Sequence, residues 1–211
     1  MWHCLLSRAA LLTFFLEDLL AHLFDPKHAP KLHDPERKSF QDPLRLLPLI
    51  HPFEKGESAE IGAGSGYFFF PLAEVLSRRG LCHAVELQPG MVEHFNRELG
   101  TKPFHDRVRT VLSEKDRIPL PDGSIEVVWL ANVFHELTHP REIFSEIFRI
   151  LSPTGQCLVV DWVKEATPKG PPPEERKSEL DLYDALIEAG FVKVRSHDLY
   201  PYHYVVEALK D

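Results

Sequence analysis

The chain has 211 residues, of which 44% are apolar and 27% charged, and its formal net charge is −8. This length suits one α/β domain with a single core, and the composition excludes a disordered chain. The acidic balance, without a dense Lys/Arg cluster, disfavours nucleic acids and anionic membranes as partners. Three cysteines without metal-type spacing fit a reducing cytoplasm.

The beginning of the chain predicts an amphipathic helix, because apolar residues recur at helical spacing over residues 5–23. The uncharged run 9–16 is shorter than the roughly 20 residues of a spanning helix, and no cleavage site follows it. Neither a membrane span nor a signal peptide is therefore expected. We favour a helix that covers the core. A partner-binding helix, or a misassigned start with the natural chain beginning near Ala21, are the alternatives.

Residues 25–56 are rich in proline, histidine and charge. Because X-Pro steps favour extended or turn conformations, this composition predicts an arm with short helical pieces, one of them over 44–50. Residues 1–56 are thus predicted to form an N-terminal helical arm, and 57–211 the main domain.

Strand and helix patterns alternate from residue 57 onward. The predicted strands cover 57–61, 81–87, 108–112, 125–132, 156–163, 191–195 and 204–208. Such alternation implies βαβ units, so we expect a Rossmann-like three-layer α/β/α sandwich with a mostly parallel seven-stranded sheet. Only eight residues separate Arg195 from Tyr204, too few for a helical crossover. The last strand is therefore predicted to be antiparallel.

A glycine loop with Gly62, Gly64 and Gly66 lies between the first strand and a helix. Glycines there permit a tight turn, let backbone N–H groups approach a ligand, and precede the positive end of a helix. The dinucleotide fingerprint needs a third glycine or alanine at position 67, which is Tyr67 here. The loop therefore argues against NAD(P).

Glu86 is the second candidate ligand-binding residue. It lies 20 residues past Gly66, at the carboxyl end of a predicted strand. A carboxylate at this place accepts two hydrogen bonds from a ribose diol. The alternative is an ordinary solvated glutamate at a strand end.

Four segments occur in order: AEIGAGSGYF, CHAVELQPGM, SEKDRIPLPDGSIEVVWLANVFHEL and RILSPTGQCLVVDW. Together they resemble the class I S-adenosylmethionine-dependent methyltransferases, and within them the broad group that includes the ubiquinone/menaquinone-biosynthesis enzymes. The resemblance covers roughly residues 22–211. The segments DWVKEATPKGPPPEER and PYHY are similar to small prokaryotic members with mostly unassigned substrates. The resemblance implies S-adenosylmethionine as cofactor, S-adenosylhomocysteine as product and a small-molecule methyl acceptor.

The resemblance also implies which residues hold the cofactor. Its methionine end would be lined by Glu60, Gly62, Ala63, Gly64 and Gly66. Its adenosine would be held by Glu86 on the ribose hydroxyls, by Leu87 against the adenine, and by Ser113 and Glu114 near the adenine amino group. The sulfonium and the incoming substrate would lie beside Asn132 and Val133. Two departures are a less apolar first strand and a glutamate at 114, where aspartate is commoner.

His135-Glu136-Leu137-Thr138-His139 matches the H-E-x-x-H signature of zinc proteases. That motif needs an α-helix, but Pro140 disfavours helix at the residue before it and no third ligand follows at the required spacing. We therefore expect no metal site. His135 and Glu136 are predicted to face the substrate, with His135 the first candidate for a general base. A capping or packing role for His135 is the alternative.

Aromatic side chains near the predicted pocket suggest a wall for the substrate. The candidates are Tyr67, Phe134, Tyr200, Tyr202 and His203, although core packing is the more ordinary role, above all for Tyr200 and Tyr202. The loop 164–176 could close over the pocket, with Arg176 contacting an anionic substrate. Its proline-rich composition equally fits a static connector.

Three other functions compete with an active cytoplasmic methyltransferase, monomeric or homodimeric. A catalytically silent cofactor-binding module would keep the glycine loop and Glu86. An NAD(P)-dependent oxidoreductase is opposed by Tyr67 and by the antiparallel last strand. A zinc hydrolase is opposed by the context of His135. Neither the acceptor nor a unique base follows from the sequence.

Overall fold

The computed structural model describes residues 34–51, 53 and 56–211. The helix predicted over 5–23 lies outside these residues. The described residues form a seven-stranded sheet in the order β3-β2-β1-β4-β5-β7-β6. Its strands are β1 Glu57–Ile61, β2 Cys82–Glu86, β3 Val108–Leu112, β4 Ile125–Ala131, β5 Leu151–Trp162, β6 Val192–Tyr200 and β7 His203–Leu209. β1 to β5 pair in parallel, and β7 is antiparallel to both of its neighbours, which confirms the predicted topology.

The helices cover both faces of the sheet. They are α1 Arg37–Phe40, α2 Phe69–Leu76, α3 Pro89–Leu99, α4 Pro140–Ile150 and α5 Glu179–Glu188. Two of them begin with a proline, whose fixed φ suits the first helical turn, and α5 begins with a capping box of Ser178 and Asp181. The strand order reverses between β1 and β4. Ligands of doubly wound sheets bind outside the carboxyl ends of the strands at this switch point.

Each face of the sheet has its own hydrophobic core. On one face Phe69 of α2 lies between Trp129 and Phe95, with ring centroids 6.1 and 5.1 Å away. On the other face Phe144 of α4 packs against Phe134 at 6.0 Å. All five rings are at most 1% exposed. Burying each contributes about 2–3 kcal/mol, so the cores fix the strand ends that carry the site.

The described part of the predicted arm packs against the rest of the described chain. A 3-10 helix over Pro43–Leu49 confirms the helical piece predicted over 44–50, and its Leu46 is fully buried. Pro48 cannot donate a backbone hydrogen bond, which accounts for the absence of a regular α-helix there. At the far end of this piece, His51 N donates to Gln156 Oε1 and Gln156 Nε2 donates to Leu49 O.

The start of β5 differs from the prediction. β5 begins at Leu151 rather than at 156, because its first residues pair with β4 across a register shift between Ile125 and Val127. Within the described ranges, no helix is both long and apolar enough to cross a membrane.

Candidate functional site

The glycine loop adopts a conformation that requires its glycines. Gly62, Gly64 and Gly66 have φ of +73°, +52° and +83°. These angles lie in the left-handed region, which other residues rarely adopt. A Cβ on Gly62 would lie 2.5 Å from Val133 Cγ2, whereas a Cβ on Gly64 would have Met91 Cε at 3.7 Å as its nearest neighbour. The loop therefore lies directly against the residues that follow β4, whereas a Cβ at Gly64 would meet its neighbours only at ordinary contact distance.

Glu86, at the end of β2, is joined to the glycine loop. Its carboxylate accepts the backbone N–H groups of Gly64, Leu87 and Gln88, each at 2.9 Å. An ionised carboxylate has about four lone-pair sites, so one stays open for a further donor such as a hydroxyl. Ser113 N donates to the backbone oxygen of Glu86 at 2.9 Å, which places the end of β3 at the same edge.

Glu60, at the end of β1, is a buried carboxyl group that offers an acceptor. Its side-chain Oε2 has no hydrogen-bond partner in the described part of the chain. Burial raises the pKa of Glu60 well above its usual range, while Trp129 and Arg37 act in the opposite direction. Because an unsatisfied buried polar atom costs about 1–3 kcal/mol, this oxygen fits a ligand that brings an N–H donor or an ammonium group.

Arg37, in the described part of the arm, lies over the aromatic ring that follows the glycine loop. The Arg37 guanidinium lies 4.0 Å from the centroid of the Tyr67 ring, which follows Gly66. Arg37 Nε donates to Gln41 Oε1 at 2.9 Å, and the Tyr67 hydroxyl donates to Gln41 O at 3.0 Å. Burial lowers the pKa of Arg37 to about 10, against the raising effects of Tyr67 and Glu60.

Gln41 also joins the arm to the end of β4. Gln41 Nε2 donates to Asn132 Oδ1 at 3.0 Å, and Asn132 Nδ2 donates back to Gln41 Oε1 at 3.1 Å. Gln41 is fully buried, and Asn132 has a positive φ of 58°, which asparagine tolerates better than most residues. This amide pair holds the arm over the switch point between β1 and β4.

His135 is held by Asp161, the penultimate residue of β5. His135 Nδ1 lies 2.8 Å from Asp161 Oδ1, and the backbone N–H of His135 donates to Asp161 Oδ2 at 3.1 Å. Because a carboxylate accepts and does not donate, Nδ1 carries the hydrogen and Nε2 keeps a lone pair. Burial lowers the pKa of His135, but the hydrogen bond and charge of Asp161 and the charge of Glu136 outweigh it and raise the pKa overall.

Glu136 adds a second titratable group beside this pair. Its Oε1 lies 3.9 Å from His135 Nε2. Burial raises its pKa to about 7, the nearby His135 lowers it, and the carboxylates of Asp161 and Glu86 raise it. The influence of Glu86 places Glu136 near the predicted ribose site. Residues 134–136 form a 3-10 turn and α4 begins only at Pro140, so the two histidines of the H-E-x-x-H motif do not share one α-helix.

Comparisons with known proteins agree with this geometry. A family model described as a methyltransferase domain matches residues 59–159. The crystal structure of a SAM-dependent methyltransferase from Aquifex aeolicus is 32% identical and superposes with a TM-score of 0.83, covering 90% of this chain and 100% of that one. The chain belongs to the S-adenosylmethionine-dependent methyltransferases. S-adenosylmethionine is therefore its cofactor.

Two other relatives of this methyltransferase are more distant. A putative type 11 methyltransferase from Sulfolobus solfataricus is 27% identical, with a TM-score of 0.65 over 82% of this chain and 94% of that one. The ubiquinone/menaquinone biosynthesis C-methyltransferase UbiE of Stutzerimonas stutzeri is 22% identical over 151 residues, 72% of this chain and 57% of that protein. The methyltransferase thus spans little more than half the length of the curated relatives it matches.

The structure brings most of the predicted cofactor residues to one edge of the sheet. The ends of β1, β2, β3 and β4 carry Glu60, Gly62, Ala63, Gly64, Gly66, Glu86, Leu87, Ser113, Asn132 and Val133. Glu114 also follows β3, but its side chain is exposed and its backbone pairs with Arg117. The assignment of individual cofactor contacts to these residues stays a prediction.

Phe134 does not line the crevice of the methyltransferase. It is fully buried and packs on Phe144 beneath α4. The 3-10 turn that follows β4 directs Phe134 into the core and leaves its neighbours His135 and Glu136 partly exposed. A substrate wall that includes Phe134 is therefore wrong for this structure.

Arg176 has a different role from the predicted contact with an anionic substrate. It is 3% exposed, and four of its N–H groups donate to the backbone oxygens of Pro171, Val163, Glu165 and Lys169. Its guanidinium also lies 5.2 Å from the Trp162 ring. Arg176 therefore holds the loop after β5 in one conformation, which agrees with the static connector.

His203 lies in an aromatic cluster next to the arm. The Trp162 ring is 3.9 Å away, and the Phe40 ring is 6.4 Å away and within 6° of parallel. Neither ring nitrogen of His203 has a hydrogen-bond partner within the described ranges. Burial, with the cations Arg37, Arg176 and His135, lowers its pKa to about 3. His203 is therefore a neutral imidazole. Tyr200, by contrast, is packed and donates to Asp42 O.

Sequence reasoning missed three residues of the site: Arg37, Gln41 and Asp161. Asp161 directly follows an apolar strand, as Glu86 does, and this position was a usable signal. Arg37 and Gln41 lie in a segment without a motif. Their contacts join residues up to 91 positions apart in the chain, and no local pattern indicates such contacts.

Proposed function

We propose that this protein transfers the methyl group of S-adenosylmethionine to a small-molecule acceptor, with His135 as the general base. The observation that carries the proposal is the His135–Asp161 pair at the carboxyl edge of the sheet. It lies next to Glu136, whose pKa Glu86 influences. A base beside the cofactor crevice is what a hydroxyl or carbon acceptor requires, because such a nucleophile must lose its proton.

The residues present fit the cofactor. The left-handed turn at Gly64, which lacks a side chain, the remaining acceptor site on Glu86 and the unsatisfied oxygen of Glu60 suit its thioether chain, ribose diol and ammonium group in turn. When bound, the cofactor supplies a sulfonium-activated methyl group. The chain's own part is to hold the acceptor in line and to exclude water around it.

His135 and Asp161 have separate tasks in the proposed reaction. Nε2 of His135 accepts the proton of the acceptor as the nucleophile attacks. Asp161 does not touch the acceptor; it keeps the hydrogen on Nδ1 and stabilises the imidazolium that forms. Lys177 supports the same turn, because its Nζ donates to His135 O and Leu137 O at 2.7 and 2.8 Å.

The proposed acceptor is a small molecule that presents an acidic carbon or a hydroxyl group. The curated relatives are named as C-methyltransferases of ubiquinone/menaquinone biosynthesis, which makes acidic carbon nucleophiles the first compounds to test. Aromatic rings surround the crevice on the side of the arm, namely those of Phe40, Tyr67, Trp162 and His203. We propose the cytoplasm as the compartment, because Cys82 and Cys157 are free buried thiols.

The experiment follows formation of S-adenosylhomocysteine from S-adenosylmethionine across a panel of phenols, enols, amines and thiols. Thermal melts with S-adenosylhomocysteine and with NAD accompany it. A ligand at about 100 times its dissociation constant adds about 2.7 kcal/mol to the free energy of unfolding. For this chain length, that raises the melting temperature by roughly 5–10 °C. We expect S-adenosylhomocysteine, and not NAD, to raise the melting temperature. We also expect turnover with an acidic carbon or hydroxyl acceptor.

Two results would contradict the proposal. Binding of S-adenosylhomocysteine without turnover of any acceptor would favour a catalytically silent module. Turnover that is unchanged in His135→Ala would still support methyl transfer but would exclude His135 as the general base. An exposed histidine, His139, serves as the matched control, because His139→Ala is expected to change neither measurement.

A further inference from the structure

The arm brings the Arg37 guanidinium close to the buried Glu60 carboxyl group at the end of β1. Arg37 and Glu60 lie near enough for each to shift the pKa of the other. Glu60 is two residues before Gly62, and the Arg37 guanidinium lies over the ring of Tyr67, the residue after Gly66.

The guanidinium of Arg37 and the carboxyl group of Glu60 are together complementary to a zwitterion. The methionine end of the cofactor has an ammonium group and a carboxylate on one carbon atom. Glu60 has an acceptor oxygen without a partner in the described chain, and the planar guanidinium of Arg37 matches the geometry of a carboxylate.

We propose that Arg37 binds the carboxylate of the cofactor's amino-acid end, opposite its ammonium group on Glu60. The inference rests on the proposed function only for the identity of the ligand. It makes the arm part of the cofactor site instead of an accessory segment before it.

The contacts of Gln41 give this assignment a structural basis. Gln41 accepts from Arg37 Nε and exchanges two hydrogen bonds with Asn132, so the position of the guanidinium is fixed relative to β4. The Tyr67 hydroxyl adds a third tie, through its hydrogen bond to Gln41 O. The cation is therefore preorganised, which reduces the entropy lost when an anion binds.

The test compares two ligands that differ only in the part Arg37 would contact. S-adenosylhomocysteine has the amino-acid end, and 5′-methylthioadenosine has the same adenosine and thioether without it. Their dissociation constants are measured by calorimetry for the wild type, Arg37→Met, Arg37→Lys and Lys38→Met. Lys38 is the control, because it is the exposed neighbouring cation on the same short helix.

We expect Arg37→Met to weaken S-adenosylhomocysteine by roughly 10- to 100-fold and to leave 5′-methylthioadenosine within about twofold. Arg37→Lys should recover part of the loss, and Lys38→Met should change neither ligand. Equal losses for both ligands would show that Arg37 acts through the packing of the arm, and no loss would place the carboxylate elsewhere. Either result overturns the assignment while wild-type binding of S-adenosylhomocysteine leaves the proposed function intact.

Discussion

Asp161 and His135 are joined twice: one carboxylate oxygen lies 2.8 Å from Nδ1 of the imidazole, and the other accepts the backbone N–H at 3.1 Å. Asp161 ends the apolar run of β5, and His135 follows the neighbouring parallel strand β4. Trp162 N also donates to Oδ1 of Asp161 at 2.7 Å, so a third hydrogen bond helps to orient the carboxylate. The two residues meet because β4 and β5 pair in parallel and end at the same edge of the sheet.

Asp161→Asn should lower the pKa of His135, because the variant removes the carboxylate that raises it. NMR titration of the imidazole, for which no acceptor is needed, measures this directly. With an acceptor in hand, kcat should fall by roughly 100-fold or more and its acidic limb should move to lower pH. The same acidic limb in both proteins would exclude Asp161 as the positioning residue. S-adenosylhomocysteine affinity serves as the control and should be unchanged.

Glu136 should make the protein less stable as the pH rises. Its pKa is raised from 4.5 to about 7 in the folded state, so between these values the folded protein binds more protons than the unfolded chain. The free energy of unfolding therefore falls with rising pH over that window. Relative to wild type, Glu136→Gln should gain about 1–2 kcal/mol between pH 5 and pH 8, after allowance for its partly solvated carboxyl group.

Urea denaturation at the two pH values measures this gain. Glu98→Gln, at an exposed position of α3, is the matched control for the loss of one carboxyl group. A gain for Glu136→Gln that is the same at both pH values would contradict burial of the Glu136 carboxylate.

The glycine loop predicts unequal effects of two similar substitutions. Gly64→Ala places a methyl group at ordinary contact distance, so its cost is the left-handed φ, about 1 kcal/mol. Gly66→Ala places it 2.3 Å from Phe70 Cε2, and the Phe70 ring is itself stacked on Phe95. We expect Gly66→Ala to lose at least about 3 kcal/mol in urea denaturation. Equal losses would mean that Phe70 moves aside.

Arg176→Lys separates a structural role from a charge that attracts substrate. Lysine keeps the charge but loses the planar donors that hold the backbone oxygens of the loop after β5. The free energy of unfolding should fall by about 2 kcal/mol and trypsin should cleave faster at Lys164 and Lys169. Arg141→Lys, at an exposed position of α4, is the control. A fully stable Arg176→Lys would return the residue to the substrate-binding candidates.

The glycine loop, Glu86 and the antiparallel end of the sheet could be predicted because each depends on a local pattern. Gly62 and Gly66 need left-handed backbone, and a short connection limits how β6 and β7 can pair. Phe134 could not be placed, since the 3-10 turn after β4 decides which neighbour enters the core. Asp161, Arg37 and Gln41 depend on which distant segments meet, and that information resides in the packed sheet.

Because β7 lies between β5 and β6 in the sheet, β5 is synthesised well before the strand that pairs with its free edge. β5 ends at Trp162 and its partner β7 begins at His203, about forty residues later. At ribosomal speeds of about 5–20 residues per second, the edge of β5 waits roughly 2–8 seconds for that partner. This edge includes Leu158, Val159 and Val160, an apolar strand that invites pairing with other nascent chains. Chaperone demand during translation should therefore peak in this interval.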